Sequence, residues 1–354
     1  MSPLHNRVSR KELKERIAQD HTPRTTVSFY HYFSIPDPAL CRDQLYRLLE
    51  PIGVLGRIYV AGEGINAQVS VPADQLSVFK ELLHGVEGLQ GIRLNIAVDN
   101  SSTSFFVLDI KVREKIVADG IDDPTFSMQR KGRYANAAQF NEMAKDPNTI
   151  IIDMRNYYEY EVGHFKGAIE VPSDTFRQQL PMAVEMMKEK KEATILMYCT
   201  GGIRCEKASA FMLHNGFNNV FHLEGGIIQY ARQVQENKLE NLFIGKNFVF
   251  DERLSERITP DIIAHCHQCG TPADTHTNCA NEGCHLLFIQ CQACAEAMQG
   301  CCTPACRQEL SLPPQERKER RKGIDKGQHI FNKSRNRLSL LSSKEQPPSA
   351  DQPV

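Results

Sequence analysis

Tryptophan is missing altogether from this chain of 354 residues, and nothing in it approaches a long apolar run. A membrane-crossing helix needs roughly 18 or more consecutive apolar residues, so a transmembrane span is excluded. Residues 1–20 are charged and carry no apolar core segment, which argues against a secretory leader and for a cytoplasmic protein. Net charge is close to absent as well: the formal value is -1, so no global field recruits a polyanion. No His/His/carboxylate iron triad and no flavin, NAD or haem motif can be found. A resident redox cofactor is therefore not expected.

Cysteine, by contrast, is plentiful. There are twelve, and a chain expected in a reducing compartment does not use them as a disulfide framework. Cys41, Cys199 and Cys205 stand apart, while the other nine fall between Cys266 and Cys306. That distribution implies two different uses of sulfur.

The first use centres on the stretch from Ala193 to Ala210. Ile195, Leu196, Met197 and Tyr198 read as a buried strand ending at Cys199. Thr200, Gly201, Gly202 and Ile203 form a short loop, and the residues from Cys205 onward open a helix. Loop N–H groups and a helix N-terminus converge on such a position and stabilise an anion. The Cys199 thiolate is that anion, so its pKa is expected to be depressed and its nucleophilicity available near neutral pH. Arg204 adds a rigid donor fork suited to an anionic substrate or sulfur adduct. The plainer reading makes Cys199 a small buried hydrophobe, but the Gly-Gly loop with Arg204 weighs against it. For Cys205 three readings stand: a resolving thiol, a second reactive centre, or a packing residue.

Length suggests two or three domains. Beyond an N-terminal extension over 1–20, residues 21–118 read strand–helix–strand–strand–helix–strand with one added strand. That is the split βαβ plan of a ferredoxin-like α+β domain. Its Gly62-Glu63-Gly64 turn is either a plain tight turn or part of a substrate-facing surface. Arg57, Arg93, Lys111, Arg113 and Lys115 form a scattered basic set. Residues 119–133 read as a linker that packs against something, because Phe126 and Met128 would not stay in water. Strands then alternate with helices over 134–240, which implies an α/β domain with a parallel sheet. Active groups gather at the carboxyl ends of such strands, where Asp153, Cys199 and Gly225 fall. Asp153 and Arg155 are read as a structural ion pair beside the Cys199 loop. Glu159 and His164 could serve Cys199 as an acid/base pair, though His164 reads more naturally as a structural residue.

Residues 241–262 read as an extended strap fixing the cysteine-rich segment, 263–310, against the rest. Two C-x2-C knuckles, Cys266/Cys269 and Cys291/Cys294, supply the expected ligands of one structural zinc. His265, His267, His276 and His285 are additional candidates. Two metals, an iron–sulfur cluster and metal-free thiols remain open, since the spacing fixes no pairing. The tail, 311–354, is first basic and then polar enough to be disordered. Its basic run either contacts phosphates or is merely solvated.

A resemblance then emerges. Ile152-Asp153-Met154-Arg155, Glu159, Gly163-His164-Phe165, Gly167-Ala168, Pro172 and the Cys199–Arg204 loop resemble a rhodanese domain over roughly residues 134 to 236. Such loops hold a cysteine that accepts sulfane sulfur as a persulfide. Leu4-His5-Asn6-Arg7, Gly62 to Ala67, Val117 to Pro124, Cys199 to Ala208 and Gly245 to Asp251 extend the likeness. Together they resemble the bacterial tRNA uridine hydroxylases, which place a hydroxyl on carbon 5 of the wobble uridine. The resemblance implies molecular oxygen as co-substrate, the tRNA anticodon stem-loop as partner, no membrane, and Cys199 as the essential residue. A sulfur-based oxidant at Cys199, with Cys205 as reductive partner, would fit the lack of cofactor motifs. A rhodanese-type sulfurtransferase and a non-catalytic RNA-binding module are the alternatives.

Overall fold

The computed structural model describes residues 19–98 and 104–322, with a few isolated positions before them. The motif Leu4-His5-Asn6-Arg7 and the tail beyond residue 322 lie outside the described residues.

The first sheet is built by β-branched and aromatic strands. β1 (Arg24–Tyr32) leads to helix α1 (Pro38–Leu49), whose start is fixed by Asp37 accepting from the Ala39 and Leu40 N–H groups. β2 (Leu55–Ala61) and β3 (Gly64–Pro72) make a hairpin, followed by α2 (Leu76–His84), β4 (Asn95–Ile96) and β5 (Leu108–Val112). Sheet order is β4-β1-β3-β2-β5, with β5 parallel to β2. This is the expected split βαβ arrangement with its added strand on the β2 edge. One sheet face carries Val27, Phe29, Ile58, Val60, Ala67 and Val69 into a core closed by Leu45, Leu49, Phe79 and Leu83 from the helices. The opposite face, bearing Tyr30, Tyr32 and Asn66, meets the next domain.

That domain opens with β6 (Arg133–Ala135), α3 (Ala137–Ala144), β7 (Ile150–Asp153), α4 (Tyr157–Val162), β8 (Gly163–Phe165) and β9 (Ile169–Glu170). It continues through α5 (Phe176–Met187), β10 (Thr194–Tyr198), α6 (Ile203–His214), β11 (Asn219–Leu223) and α7 (Gly226–Asn237). The sheet β6-β11-β10-β7-β9 is wholly parallel, with β10 at its centre. Buried on both faces, β10 reads as an unbroken apolar run, as central parallel strands do. Segment 119–133 has neither helix nor strand except at its end, yet Asp119 is buried and the Phe126 ring packs on Phe211 and His214.

The strap is β12 (Phe243–Phe248), paired antiparallel with both β8 and β13 (Ser255–Arg257). It ends against the cysteine-rich module: β14 (His276–Asn278), β15 (Leu287–Ile289), α8 (Gln292–Met298), α9 (Pro304–Ser311) and α10 (Pro314–Arg320). Phe248 meets the Tyr158 and His276 rings, and Lys246 pairs with Asp274 at 2.9 Å. Among the described residues no helix is long and apolar enough to cross a membrane.

Candidate active site and metal-ligand clusters

Cys199 leaves the end of β10 and is fully buried. Its sulfur accepts the Gly202 N–H at 3.2 Å. Gly202 has φ +102, and a Cβ there would stand 2.9 Å from the Tyr30 hydroxyl, so both the turn and the close approach demand glycine. From the other side the α7 N-terminus holds the loop's carbonyls, Ile227 N–H donating to Cys199 O at 3.0 Å and Ile228 N–H to Thr200 O at 3.2 Å. Gly226, at φ +66, would place a Cβ 2.5 Å from the Cys199 oxygen.

Burial alone would push the Cys199 thiol up. The Cys205 thiol, the Arg204 charge and the N–H groups of Cys205 and Gly202 outweigh it, and the pKa falls to about 6. Cys205 moves the opposite way, well above the ordinary thiol value, because it is buried and faces the Cys199 anion. Cys205 is thus a protonated donor to Cys199. A raised Cys205 pKa weighs against the second reactive centre, while the resolving-thiol and packing readings both stand.

Arg204 is where sequence reasoning fell short. Its fork does not stand open for an anion: Nη1 donates to Glu159 Oε2 at 2.7 Å and Nη2 to Glu159 Oε1 at 2.8 Å. Thr200 Oγ1 completes the set, donating to Glu159 at 3.1 Å and lying 3.1 Å from Arg204 Nη2. Glu159 is placed by the capping box of α4, where its carboxylate also accepts the Asn156 N–H at 3.0 Å. The alternative of a Glu159/His164 acid/base pair is therefore not formed, and His164 is the structural residue it was expected to be. Glu159 is the counter-ion of Arg204, and His164 stacks on Tyr160 at 3.9 Å with Nδ1 against the Tyr160 carbonyl. The Asp153–Arg155 pair is present and wholly buried, with Arg155 Nη2 2.6 Å from both Asp153 Oδ2 and the Gly163 carbonyl. Met154 N–H to Tyr198 O, at 2.9 Å, ties this pair to the end of β10.

The first domain's sheet lies directly over the loop, a contact foreshadowed only by the reading of the Gly62-Glu63-Gly64 turn as part of a substrate-facing surface. Tyr30 donates to Glu206 at 2.9 Å, Tyr32 to the Ile203 carbonyl at 3.3 Å, and Asn95 to the Gly201 carbonyl at 3.2 Å. Lys207, 2% exposed, is neutralised by Glu63 at 2.5 Å and Asp119 at 3.0 Å. Glu63 belongs to the Gly62-Glu63-Gly64 turn, which therefore faces α6. A cavity of about 310 Å³ opens beside the loop between the two domains, with Tyr30, Arg93, Asn95, Lys131, Tyr134 and Glu206 in its walls. The scattered basic set forms no single open patch. Arg93 pairs with Glu224, Lys111 with Asp109 and Lys115 with Asp119; Arg57 donates to the Phe250 carbonyl, and Arg113 lies over Tyr59.

In the cysteine-rich module the sulfurs gather into two quartets. Cys266, Cys269, Cys291 and Cys294 lie within 4.8 Å of one another, and so do Cys279, Cys284, Cys302 and Cys306. The first is the expected zinc set; the second was not assignable from spacing. Four thiols at a common focus fit a soft tetrahedral cation. The candidate histidines stay outside both quartets. His267 is held by Glu161 at 2.7 Å, and His276 is packed against Phe248 with its pKa lowered to about 3 by burial. Glu161 sits two residues from Glu159 on α4, so this module buttresses the helix that holds Arg204.

Three families match successive parts of the chain: a UPF0176 acylphosphatase-like domain over residues 24–116, a rhodanese-like domain over 136–233, and a rhodanese C-terminal region over 244–307. Full-length relatives are similar throughout. The tRNA uridine(34) hydroxylase of Enterobacter sp. (strain 638) is 60% identical over 340 residues, covering 96% of this chain and 97% of that protein. The tRNA uridine(34) hydroxylase of Yersinia enterocolitica is 61% identical over 339 residues, with the same coverage.

Proposed function

The chain belongs to the tRNA uridine(34) hydroxylase family, and from that premise we propose that Cys199 is the reacting group with which it hydroxylates uridine 34 of tRNA. The observation that carries this reading is the Cys199 cradle. One sulfur, at the centre of a parallel sheet, receives loop N–H donors, a neighbouring thiol and the field of Arg204. Those groups keep it a thiolate at neutral pH, ready to form a covalent bond to an electrophilic centre. Thr200, Gly201, Gly202 and Ile203 shape the loop, Glu159 holds Arg204 in place, and Asp153 with Arg155 anchors the strand end behind it. Molecular oxygen is the source of the added oxygen atom, and tRNA places the reaction in the cytoplasm.

The inter-domain cavity is the docking place for the target nucleotide. Tyr30 and Tyr134 offer rings on which an unstacked base can lie, and Arg93 and Lys131, paired with Glu224 and Glu206, supply polar groups in the same walls. Cys199 has no exposed surface, so the base reaches it when Tyr30, Tyr32 and Asn95 part from the loop. Anticodon nucleotides are already unpaired, which keeps the cost of presenting one low. Cys266, Cys269, Cys291 and Cys294 hold a structural zinc.

The test is mass analysis of tRNA nucleosides from cells carrying the wild type, a deletion or Cys199→Ser. A gain of one oxygen atom on uridine 34 that is present only with the wild type supports the reading, and growth under isotopically heavy dioxygen should label that atom. Hydroxylation that persists with Cys199→Ser overturns it. Rapid persulfide turnover by purified protein, with no change in tRNA, would instead reveal a sulfurtransferase.

A further inference from the structure

The quartet Cys279, Cys284, Cys302 and Cys306 plays no part in the reading above. We infer that it is a second tetrathiolate zinc site, interleaved with the first so that the two sites form one cross-braced unit.

The spacing of the sulfurs makes the first argument. Cys284 and Cys302 are 3.6 Å apart and Cys302 and Cys306 3.7 Å apart; in the first quartet Cys269 and Cys291 are 3.6 Å apart. Zinc–sulfur bonds of about 2.3 Å in a tetrahedron give an edge of about 3.8 Å. A disulfide would need about 2.05 Å. With all four sulfurs within 4.8 Å of one another, a multi-iron cluster with its bridging sulfides has no room. One ion of zinc's size fits.

The surroundings argue for a built site. Cys279 and Cys302 are almost fully buried, under Leu286 and Phe288. Cys302 N–H points at the Cys279 sulfur at 3.4 Å, a donor to a thiolate. Cys284 lies in a turn closed by its own N–H on the Asn281 carbonyl, and Cys306 on the first turn of α9, whose cap is Thr303. Arg321 runs beside Gly283 in that same turn and pairs with Glu282 at 2.7 Å. Cys301, fully buried next to Cys302, joins neither quartet.

The order of ligands supplies the cross-brace. Along the chain the pairs alternate: Cys266/Cys269, then Cys279/Cys284, then Cys291/Cys294, then Cys302/Cys306. The β14–β15 hairpin delivers Cys279 to one site and Cys291 to the other, so each site closes the loop that carries the other's ligands. Gln268, inside the first knuckle, donates to the Cys301 and Cys302 carbonyls at 3.0 Å each, and Gln290 joins Gln268 at 2.8 Å. Losing either ion therefore loosens both sites.

The experiment is metal content of the full-length protein by native mass spectrometry and elemental analysis, with no activity readout. Two zinc ions per wild-type chain are expected, two in Cys301→Ser, and fewer than two in Cys302→Ser or Cys306→Ser. Cobalt titration of the wild type gives a second measurement where a variant fails to fold. Two equivalents, each with intense sulfur-to-cobalt absorption, are expected. One equivalent per chain, or zinc content unchanged by Cys302→Ser and Cys306→Ser, overturns the second site. Separate release of the two ions by a chelator overturns the cross-brace. Cys269→Ser reports on the first quartet, and none of these outcomes depends on Cys199, so the two readings fail separately.

Discussion

Cys199 and the quartet cysteines of the C-terminal module are the same residue in opposite settings, and the backbone around them makes the difference. At Cys199 a single sulfur sits where a parallel strand ends and a helix begins, so peptide N–H groups and one guanidinium hold its charge. In the module each sulfur of the two quartets has three others within 4.8 Å, a grouping that only a cation can make stable once the thiols ionise. A thiolate stabilised by dipoles keeps a free lone pair and can react. A thiolate stabilised by a metal has spent that lone pair on structure.

The sharpest way to break the contrast is to remove the counter-ion of Arg204. Glu159→Gln leaves a buried guanidinium without its carboxylate, and stability should fall by about 3–5 kcal/mol in denaturant unfolding. In the folded fraction the Cys199 pKa should drop below its present value of about 6, since Arg204 is no longer neutralised. A rise, measured by the pH dependence of thiol alkylation, would mean that Arg204 does not govern the sulfur.

Cys205→Ala probes the same sulfur more gently. It deletes the thiol donor to Cys199, and the midpoint of alkylation should move up by about one unit, equivalent to about 1.4 kcal/mol. The sign of the linkage follows. With the folded thiol titrating at about 6 and an ordinary value of 9.0, the cradle's contribution to stability is complete above the ordinary value and is lost as pH falls through about 6. In Cys205→Ala that window should narrow from its lower edge. An unchanged midpoint would show that the loop N–H groups and Arg204 suffice.

Tyr30→Phe should have the smallest effect. It removes one hydrogen bond, from the sheet of the first domain to Glu206, at a cost of about 1 kcal/mol. Glu206 keeps Lys131 at 2.5 Å. Alkylation of Cys199 should become faster with no change in its pKa, because the sheet parts from the loop more often. A rate unchanged from wild type would argue that this contact does not gate access.

The strand, the Gly-Gly turn and the cysteine with its lowered pKa were legible because each is local. A run of apolar residues, a glycine at positive φ and a helix start occupy neighbouring positions, and their physics does not need the rest of the chain. The Asp153–Arg155 pair was legible for the same reason, two residues apart. The role of Glu159 was not: it lies 45 positions from Arg204, and only the Asn156–Glu159 capping signature hinted that its carboxylate was fixed. Tyr30, Asn95 and Lys207 were missed because a polar residue at a domain interface looks, in sequence, like one facing water.

Composition and local order thus determined the two classes of sulfur, the split βαβ and parallel α/β plans, and which thiol sits in an anion-stabilising loop. Tertiary structure alone decided that Glu159 meets Arg204, which sheet covers the loop, and how eight of nine clustered cysteines divide between two foci. Hydrogen-bonded turns and helix starts are short-range and leave their mark in adjacent residues. Ion pairs and ligand sets close over long stretches of chain, where many pairings have similar spacing and only packing selects among them.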